Sequence, residues 1–282
     1  MNESRLLTDS VTVGYGEGPV VRDLSLAIAD GKVTTIVGPN GCGKSTLLRT
    51  MARLLKPTSG RVLLDGEPVH EMSTKDVARR MALLPQSPVA PDGLLVRDLI
   101  GRGRHPHQRW FSQWSPEDEA IVEAALEMTD TSDLRDRALD QLSGGQRQRA
   151  WIAMTLAQDT ELLLLDEPTT YLDLAHQVEV LDLVTRLNRE RGRTVVMVLH
   201  DLNLAARYSD AIVVMKDGAI AGQGTPTDVF TPPMLADTFG LEADVLPDPR
   251  TGLPIVVPTS SAVTAAAGPD DLLRELAHVP NR

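Results

Sequence analysis

The sequence predicts an α/β fold in which a mixed sheet with flanking helices is interrupted by a helical insert. Short apolar runs such as LLLLD and TVVMV alternate with amphipathic stretches, and uniformly apolar runs are expected where both faces of a parallel sheet are covered. The first third of the chain instead alternates strand and turn signals. Between residues 88 and 159 helical signals replace strand signals, which indicates an inserted subdomain.

The elements of the first third follow from periodicity and turn residues. Strands are predicted at VTVGY, VVRDLSLAIA and KVTTIVG, then a helix at GKSTLLRTMARLL, the turn KPTSG, and strands at RVLLD and MALLPQ. In the insert, Ser115 is a suitable N-cap for a helix whose first turn holds Pro116, Glu117 and Asp118, and AIVEAALEM continues that helix.

Strand signals return in the second half, at ELLLLDEP, TVVMVLH, AIVVMKDG and AIAGQG, separated by helices at LDLAHQVEVLDLVTRLNRE and DLNLAARY. Beyond residue 258 the small polar stretch SSAVTAAAGPD predicts a flexible linker, and DDLLRELAHV could close the chain as a short helix. We therefore expect a principal domain over residues 1–243, with the helical subdomain at about residues 88–159 inside it, and a partly flexible C-terminal extension over residues 244–282.

Composition narrows the class of protein. The 282 residues carry a formal net charge of −11, which argues against a general nucleic-acid binder because such proteins neutralise phosphates with basic groups. The apolar runs are too short to span a bilayer, and the start MNESRLLTDS lacks the features of a signal peptide. A single cysteine excludes an internal disulfide and fits a reducing compartment. We expect a soluble cytoplasmic protein that a membrane partner could recruit.

A glycine-rich motif between an apolar strand and a helix predicts a phosphate-binding loop, the P-loop: GPNGCGKST, residues 38–46. Its glycines let the backbone curve around an anion with the N–H groups pointing inward. Lys44 would place a positive charge at the β- and γ-phosphates, and Ser45 offers a hydroxyl to Mg²⁺. We interpret Cys42 as a packing residue because no base partner is evident. The predicted nucleotide-binding residues are Gly38, Pro39, Asn40, Gly41, Cys42, Gly43, Lys44, Ser45 and Thr46.

Two acidic residues end the apolar strand LLLLDEP, residues 162–168. Ligands of open α/β sheets bind at the carboxyl ends of the strands, so Asp166 is expected to hold Mg²⁺, commonly through water. Glu167 faces a different direction and could orient or deprotonate an attacking water.

A second glycine-rich stretch opens a predicted amphipathic helix: LSGGQRQR, residues 142–149. Glycine inside a helix costs about 1 kcal/mol relative to alanine, so the pair belongs at the helix start or serves a ligand. A helix N-terminus beside a serine is suited to an anion. Because the chain already has a stronger phosphate loop, this second anion site calls for a separate explanation.

In combination, the P-loop, LSGGQ and LLLLDEP resemble the nucleotide-binding subunits of ATP-binding cassette (ABC) proteins, over residues of about 5–240. The resemblance implies an ATPase with a P-loop NTPase core, an ABC-type helical subdomain and an antiparallel N-terminal β subdomain. It also implies that two subunits enclose two ATP molecules head to tail in a two-fold dimer. The second phosphate site, formed by Ser143, Gly144, Gly145 and Gln146, then serves the nucleotide of the partner subunit.

The resemblance also assigns roles that the residues alone leave open. Tyr15 resembles the aromatic that stacks on adenine, Gln86 the Q-loop glutamine near Mg²⁺ and the attacking water, and His200 the switch histidine that holds the γ-phosphate. Asp173 resembles the D-loop aspartate at the dimer interface, although the usual SALD reads TYLD in this chain. The implied catalytic residues are Lys44, Gln86, Glu167 and His200, and the implied Mg²⁺ ligands are Ser45, Gln86 and Asp166.

A basic stretch in the insert bears on the partner: GRGRHPHQRW, residues 101–110. Its arginines at 102, 104 and 109 form either a docking surface for an acidic or dipolar partner or a solvated basic loop. His105 and His107 lack a third metal ligand nearby.

Together with TYLDLAHQVEVLDLV, the stretch GRGRHPH resembles the ATPases of importers for ferric siderophores, haem and cobalamin, with ferric siderophore as the first choice. That resemblance implies integral-membrane permease subunits, a separate substrate-binding protein, a second ATPase subunit, no nucleic-acid partner, and a position at the cytoplasmic face of the cell membrane. An exporter ATPase with a separate membrane subunit remains an alternative. A soluble cassette protein of translation or DNA repair fits less well, because the chain has one cassette, no CxxC motif and no heptad run.

Overall fold

The computed structural model describes residues 4–16, 18–108, 114–170 and 172–261. The strands are β1 (Leu6–Tyr15), β2 (Gly18–Ile28), β3 (Val33–Val37), β4 (Ser59–Leu64), β5 (Glu67–Pro68), β6 (Met81–Leu84), β7 (Leu162–Asp166), β8 (Thr194–Val198), β9 (Ala211–Lys216), β10 (Ala219–Gly224), β11 (Leu241–Pro247) and β12 (Pro254–Ser261). The helices are α1 (Lys44–Met51), α2 (Thr74–Arg80), α3 (Val96–Arg102), α4 (Pro116–Met128), α5 (Gly144–Ala157), α6 (Leu174–Arg191), α7 (Leu202–Tyr208), α8 (Pro226–Val229) and α9 (Pro232–Phe239).

The central sheet is mixed, as the sequence predicts. Its strand order is β10-β9-β3-β8-β7-β6, and all neighbours run parallel except β10, which is antiparallel to β9. A second, antiparallel sheet has the order β2-β1-β4-β5 and confirms the expected N-terminal β subdomain. Val198 of β8 lies opposite Ile36 of β3 on one side and Asp166 of β7 on the other. The carboxyl ends of β3, β7 and β8 therefore meet at one edge, where ligands of such sheets bind.

The apolar core fills both faces of the central sheet, because successive residues of a strand point in opposite directions. Leu162 and Leu164 of β7 pack in the cluster that contains α1 and the N-terminal sheet, whereas Leu163 and Leu165 pack among the helices of the insert and α6. All five residues of β7 are buried. The uniformly apolar sequence of this strand is thus the consequence of being covered on both sides.

The interval between β6 and β7 contains α3, α4 and α5, with short 3-10 turns at Ser132–Leu134 and Leu139–Gln141. As predicted, Ser115 caps α4: its hydroxyl accepts from the Asp118 N–H, and the Asp118 carboxylate accepts from the Ser115 N–H. Arg104 Nε donates to Asp118 Oδ1 at 2.7 Å, and its Nη1 donates to the Ala157 carbonyl at 2.9 Å. This buried ion pair ties the three helices of the insert together.

The C-terminal part differs from the expectation. A hairpin of β11 and β12 follows α9, so the boundary predicted at residue 243 lies inside β11, and residues 259–261 belong to a strand and not to a linker. The side chain of Asn203 in α7 pairs with both backbone groups of Val256, at 2.7 and 3.2 Å, and anchors the hairpin. The rest of the predicted linker and the predicted closing helix, residues 262–282, lie outside the described residues.

No helix among the described residues combines the length and the apolar character needed to cross a membrane.

Candidate active site

The P-loop connects β3 to α1 at the carboxyl edge of the central sheet. Gly38 has a φ of +155°, and a Cβ at this position would lie 2.2 Å from the Met215 carbonyl oxygen, so only glycine fits against β9. Because α1 begins at Lys44, its first N–H groups have no partner within the helix and face the loop. Cys42 is buried and burial raises the pKa of its thiol, which agrees with a packing role.

Lys44 lies across the mouth of its own loop. Its side chain is buried, and Nζ donates to the carbonyl oxygens of Gly38 and Pro39, both at 2.8 Å. A cavity of about 150 Å³ adjoins it, and residues of the P-loop, of β2 and of the segments that follow β7 and β8 meet around that cavity. The lining residues are Val20, Asn40, Gly41, Gly43, Lys44, Ser45, Thr46, Glu167 and His200.

Asp166 is a buried carboxylate with one satisfied oxygen. Ser45 Oγ donates to Oδ1 at 2.8 Å, whereas Oδ2 has no hydrogen-bond partner among the described residues and lies 3.8 Å from Arg49 Nε. Burial raises the pKa of Asp166 above its usual range, and the Ser45 hydrogen bond and the Arg49 charge offset only part of that rise. A hydroxyl beside an unpartnered carboxylate oxygen is an oxygen-only donor set, which suits a hard divalent cation.

Glu167 brings three distant segments together. His200 Nε2 lies 2.7 Å from Oε1, and Oε2 accepts from Gln86 Nε2 at 2.7 Å and from Thr170 Oγ1 at 2.9 Å. Burial opposes ionisation, but these hydrogen bonds outweigh it and hold the pKa of Glu167 below its usual range. Its φ of +54° is a left-handed conformation that is strained for a glutamate, and such strain is concentrated at functional sites.

The LSGGQ stretch begins α5 and completes its own cap. Ser143 Oγ accepts from the Gln146 N–H at 3.3 Å, and Gln146 Oε1 accepts from the Ser143 N–H at 3.1 Å. Ser143 and Gly144 are exposed, and Gly145 is half-buried. None of these residues is among the described residues that line the P-loop cavity of the same chain. Ser143 followed three residues later by Gln146 is the sequence pattern of a capping box.

Comparison with known proteins agrees with this geometry. The family model described as ABC transporter matches residues 21–170. The chain belongs to this family. The iron(3+)-hydroxamate import ATP-binding protein FhuC of Bacillus subtilis is 52% identical, over 89% of this chain and 93% of that protein. The ferric enterobactin transport ATP-binding protein FepC of Escherichia coli is 47% identical, over 95% of this chain and 99% of that protein.

Solved structures of ABC proteins share the fold. An inward-facing metal-chelate type ABC transporter contains a chain with a TM-score of 0.79 and 26% identity, covering 93% of this chain and 99% of that chain. The dimeric ABC transporter cassette MJ0796 has a TM-score of 0.70 and 29% identity, covering 78% of this chain and 98% of that chain. This ABC protein is therefore an ATP-binding subunit with ATPase activity. Subunits of this kind dimerise and work with membrane permeases.

Two further residues expected from the family lie outside the cavity of this ABC ATPase. Tyr15 ends β1 with 51% of its surface exposed, and it is not one of the described residues that line the P-loop cavity. Asp173 is the N-cap of α6, where its carboxylate accepts from the His176 N–H, while Tyr171, two residues earlier, lies outside the described residues.

The basic stretch of the insert divides into two kinds of residue. Arg102 and His105 are exposed and line an open groove of about 1340 Å³ between α2, α3 and α4. Arg104 was expected on the same surface, and that expectation is wrong: it is 4% exposed, because it forms the ion pair with Asp118. His107 points elsewhere, with Nε2 2.8 Å from the Gln158 carbonyl, and residue 109 lies outside the described residues.

Sequence reasoning missed two residues that contact the acidic pair, namely Arg49, whose Nε lies 3.8 Å from Asp166 Oδ2, and Thr170. The Thr170 hydroxyl donates to the carboxylate of Glu167, which lies three residues earlier and directly follows the end of β7. A threonine three residues after a candidate catalytic glutamate can donate a hydrogen bond back to it across a local turn, and this spacing is a signal that the sequence contains.

Proposed function

We propose that the chain is the ATP-hydrolysing subunit of an importer that takes up ferric siderophore through a separate membrane permease. The observation that carries the ATPase part is the convergence of Lys44, Asp166 and Glu167 at one sheet edge. These groups supply the parts that phosphoryl transfer needs: charge stabilisation, metal ligation and activation of water. The similarity to FhuC and FepC supports ferric siderophore as the transported substrate.

The proposed nucleotide contacts begin at the P-loop. Residues 38–46 surround the phosphates with backbone N–H groups, and Lys44 leaves the Gly38 and Pro39 carbonyls to contact the β- and γ-phosphates. The exposed ring of Tyr15 is free to stack on adenine.

Ser45, Gln86 and Asp166 are the proposed ligands of Mg²⁺. The buried Oδ2 of Asp166 has no hydrogen-bond partner among the described residues and only the Arg49 charge at 3.8 Å, which supports this assignment because such an oxygen is costly unless a ligand satisfies it. When bound, Mg²⁺ supplies positive charge that neutralises the phosphate oxygens.

Glu167 is the proposed general base. It accepts a proton from the attacking water as the new bond from oxygen to the γ-phosphorus forms and the bond to the ADP oxygen breaks, which leaves ADP and phosphate. His200 and Gln86 both contact the Glu167 carboxylate. Their side chains are therefore placed beside the proposed base, where they would contact the γ-phosphate and the attacking water.

We propose that two copies form the active dimer, with Ser143, Gly144, Gly145 and Gln146 of one copy at the γ-phosphate of the other. The start of α5 is exposed and is not among the described residues that line the P-loop cavity of its own chain, which supports this arrangement. Ser143→Arg places a bulky side chain where the phosphate docks, so it should abolish ATP-driven dimerisation, measured by light scattering, while the monomer still binds nucleotide. Ser143→Ala, which removes only the hydroxyl, is the control for bulk. Wild-type dimerisation of Ser143→Arg would contradict the arrangement.

The groove beside Arg102 is the proposed permease contact, at the cytoplasmic face of the membrane, and a separate substrate-binding protein would deliver the cargo. No nucleic-acid partner is proposed, because the net charge is −11. Arg102 is exposed and has no ion-pair partner among the described residues, which leaves it available to a dipolar or acidic partner. Arg102→Glu should weaken co-purification with the permease and spare the basal ATPase, whereas Arg250→Glu, in the turn between β11 and β12, should change neither. Unchanged co-purification would indicate a solvated surface.

Uptake of labelled ferric siderophore tests the cargo. The gene is deleted, the cells are starved of iron, and wild type and Glu167→Gln are reintroduced in parallel. Loss of uptake that only wild type restores supports ATP-driven ferric-chelate import. Unaltered uptake, after exclusion of a related transporter, would overturn the siderophore assignment and direct the assay to haem, cobalamin or export.

A further inference from the structure

His176 lies in the first turn of α6 and is bound to the N-cap of that helix. Asp173 Oδ1 accepts from the backbone N–H of His176 at 3.0 Å and lies 2.6 Å from its Nδ1. Because an ionised carboxylate only accepts hydrogen bonds, Nδ1 must carry the proton. Hydrogen bonds from the backbone and side chain of His176 hold the pKa of Asp173 below its usual range. The imidazole is therefore oriented by two contacts to one carboxylate.

The same imidazole rests against the start of α5. A Cβ built on Gly145 would lie 2.9 Å from His176 Cδ2 and 3.2 Å from Cγ, so a side chain at residue 145 would occupy the space of the ring. A Cβ built on Gly144 would meet nothing within 4 Å. Of the two adjacent glycines, Gly145 is the one whose missing side chain makes room for His176.

We propose that His176 is a positioning residue that locks the start of α5 to Asp173, so that both reach the partner subunit's nucleotide as one unit. This inference rests on the proposed function, in which Ser143–Gln146 and Asp173 face a second copy of the chain. One turn further along both helices, Arg149 Nη1 pairs with Glu179 Oε2 at 3.3 Å, and the two helix starts are thus held at two levels. Of these two contacts between α5 and α6, only that of His176 with Gly145 involves a residue of the proposed phosphate site.

A positioning role predicts an effect on dimerisation and not on nucleotide binding by one copy. His176 is not among the described residues that line the P-loop cavity or the neighbouring cavity beside Glu167 and Thr170. Loss of one exposed hydrogen-bonded contact corresponds to about a three- to tenfold change in an equilibrium. We therefore expect His176→Ala to need about three- to tenfold more ATP for half-maximal dimerisation.

The first test measures ATP-driven dimerisation by light scattering in full-length Glu167→Gln protein, where hydrolysis does not deplete the dimer. His176→Asn retains a donor near the Nδ1 position and should lie closer to wild type than His176→Ala. Glu179→Ala, which breaks the neighbouring contact between α5 and α6, is the matched control and should change dimerisation less than His176→Ala. Nucleotide affinity of the monomer should be equal in all variants. Wild-type dimerisation of His176→Ala, or an equal loss of monomer affinity, would overturn the proposal.

The second test uses the close approach of the glycine. Gly145→Ala should displace the ring from Asp173 and weaken dimerisation, and the double variant Gly145→Ala/His176→Ala should recover part of the loss because the new methyl group then has space. A double variant no better than Gly145→Ala would show that residue 145 is glycine for another reason. Failure of the Glu167→Gln parent to dimerise at saturating ATP would instead overturn the proposed dimer, and this inference with it.

Discussion

The helical subdomain and the edge of the central sheet each bury an aspartate, and their surroundings differ in one respect. Asp118 accepts from Arg104 Nε at 2.7 Å on one oxygen and from Ser115 Oγ at 3.0 Å on the other. Burial favours its neutral form, but these donors hold the pKa of Asp118 below its usual range. Asp166 has one donor, Ser45, on one oxygen and no hydrogen-bond partner among the described residues on the other, and burial raises its pKa.

The difference separates a structural carboxylate, Asp118, from the proposed Mg²⁺ ligand, Asp166. A buried charge that is fully hydrogen-bonded stabilises the arrangement of its partners, whereas an unpartnered oxygen lowers the stability of the ligand-free protein. The helical subdomain uses Asp118 to hold α3, α4 and α5 together. The sheet edge leaves Asp166 incomplete and places beside it Glu167, a strained residue with three donors. These features lower the stability of the protein at the edge where we propose that the nucleotide and Mg²⁺ bind.

The largest effect is expected at Glu167. Glu167→Gln removes the proposed proton acceptor, and we expect turnover to fall by about 10²–10⁴-fold, the usual range for loss of a general base. ATP binding should persist and the ATP-bound dimer should accumulate. Steady-state ATPase assays and light scattering check this prediction, and hydrolysis at the wild-type rate would remove Glu167 from its role.

Asp118→Asn should destabilise the fold by roughly 3–5 kcal/mol, because it leaves Arg104 buried without an ionised partner. Since the native pKa of Asp118 is lowered, its contribution is present above about pH 4 and is lost as the pH falls through the native value. Urea unfolding of Glu123→Gln, which breaks the exposed pair with Arg135, is the control and should change stability by about 0–1 kcal/mol. Equal losses of stability in Asp118→Asn and Glu123→Gln would show that the buried ion pair contributes no more than the exposed one.

An aspartate-to-asparagine substitution at the sheet edge should raise the free energy of unfolding, whereas the one at Asp118 lowers it. Asp166→Asn replaces a buried, partly unpartnered charge by a neutral amide, and we expect the nucleotide-free protein to gain about 1–3 kcal/mol. Because the native pKa of Asp166 is raised, the gain should appear as the pH rises above about 4 and should vanish below it. The variant should also lose Mg²⁺-dependent ATPase activity. A loss of stability at neutral pH would contradict the comparison.

The smallest effect concerns Thr170. Thr170→Val keeps the shape and removes the hydroxyl that donates to Glu167, so we expect kcat to fall by about two- to tenfold with little change in KM for ATP. Thr170→Ser, which retains the hydroxyl, should recover most of the activity. A rise in KM at unchanged kcat would show that the hydroxyl serves nucleotide binding and not the carboxylate.

Local patterns predicted most of the fold and the chemistry. The apolar runs of β3, β7, β8 and β9, the Ser115 cap and the glycine-rich loop are signals carried by adjacent residues, and each appears as expected. The hairpin of β11 and β12 was missed because, among the described residues, its strands pair only with each other and bury isolated apolar residues, such as Ala243 and Val256, without a continuous apolar run.

The sequence by itself determined where the strands end, where the helices start and which candidate site residues lie there. These features follow from loop geometry, capping and periodicity, which depend on neighbours in the chain. Tertiary structure alone decided which charges are satisfied. It buried Arg104 of a basic stretch against Asp118, left Asp166 Oδ2 without a hydrogen-bond partner among the described residues, and brought His176 onto Gly145. Such contacts join segments far apart in the chain, and their energy depends on burial and direction, which only the folded arrangement sets.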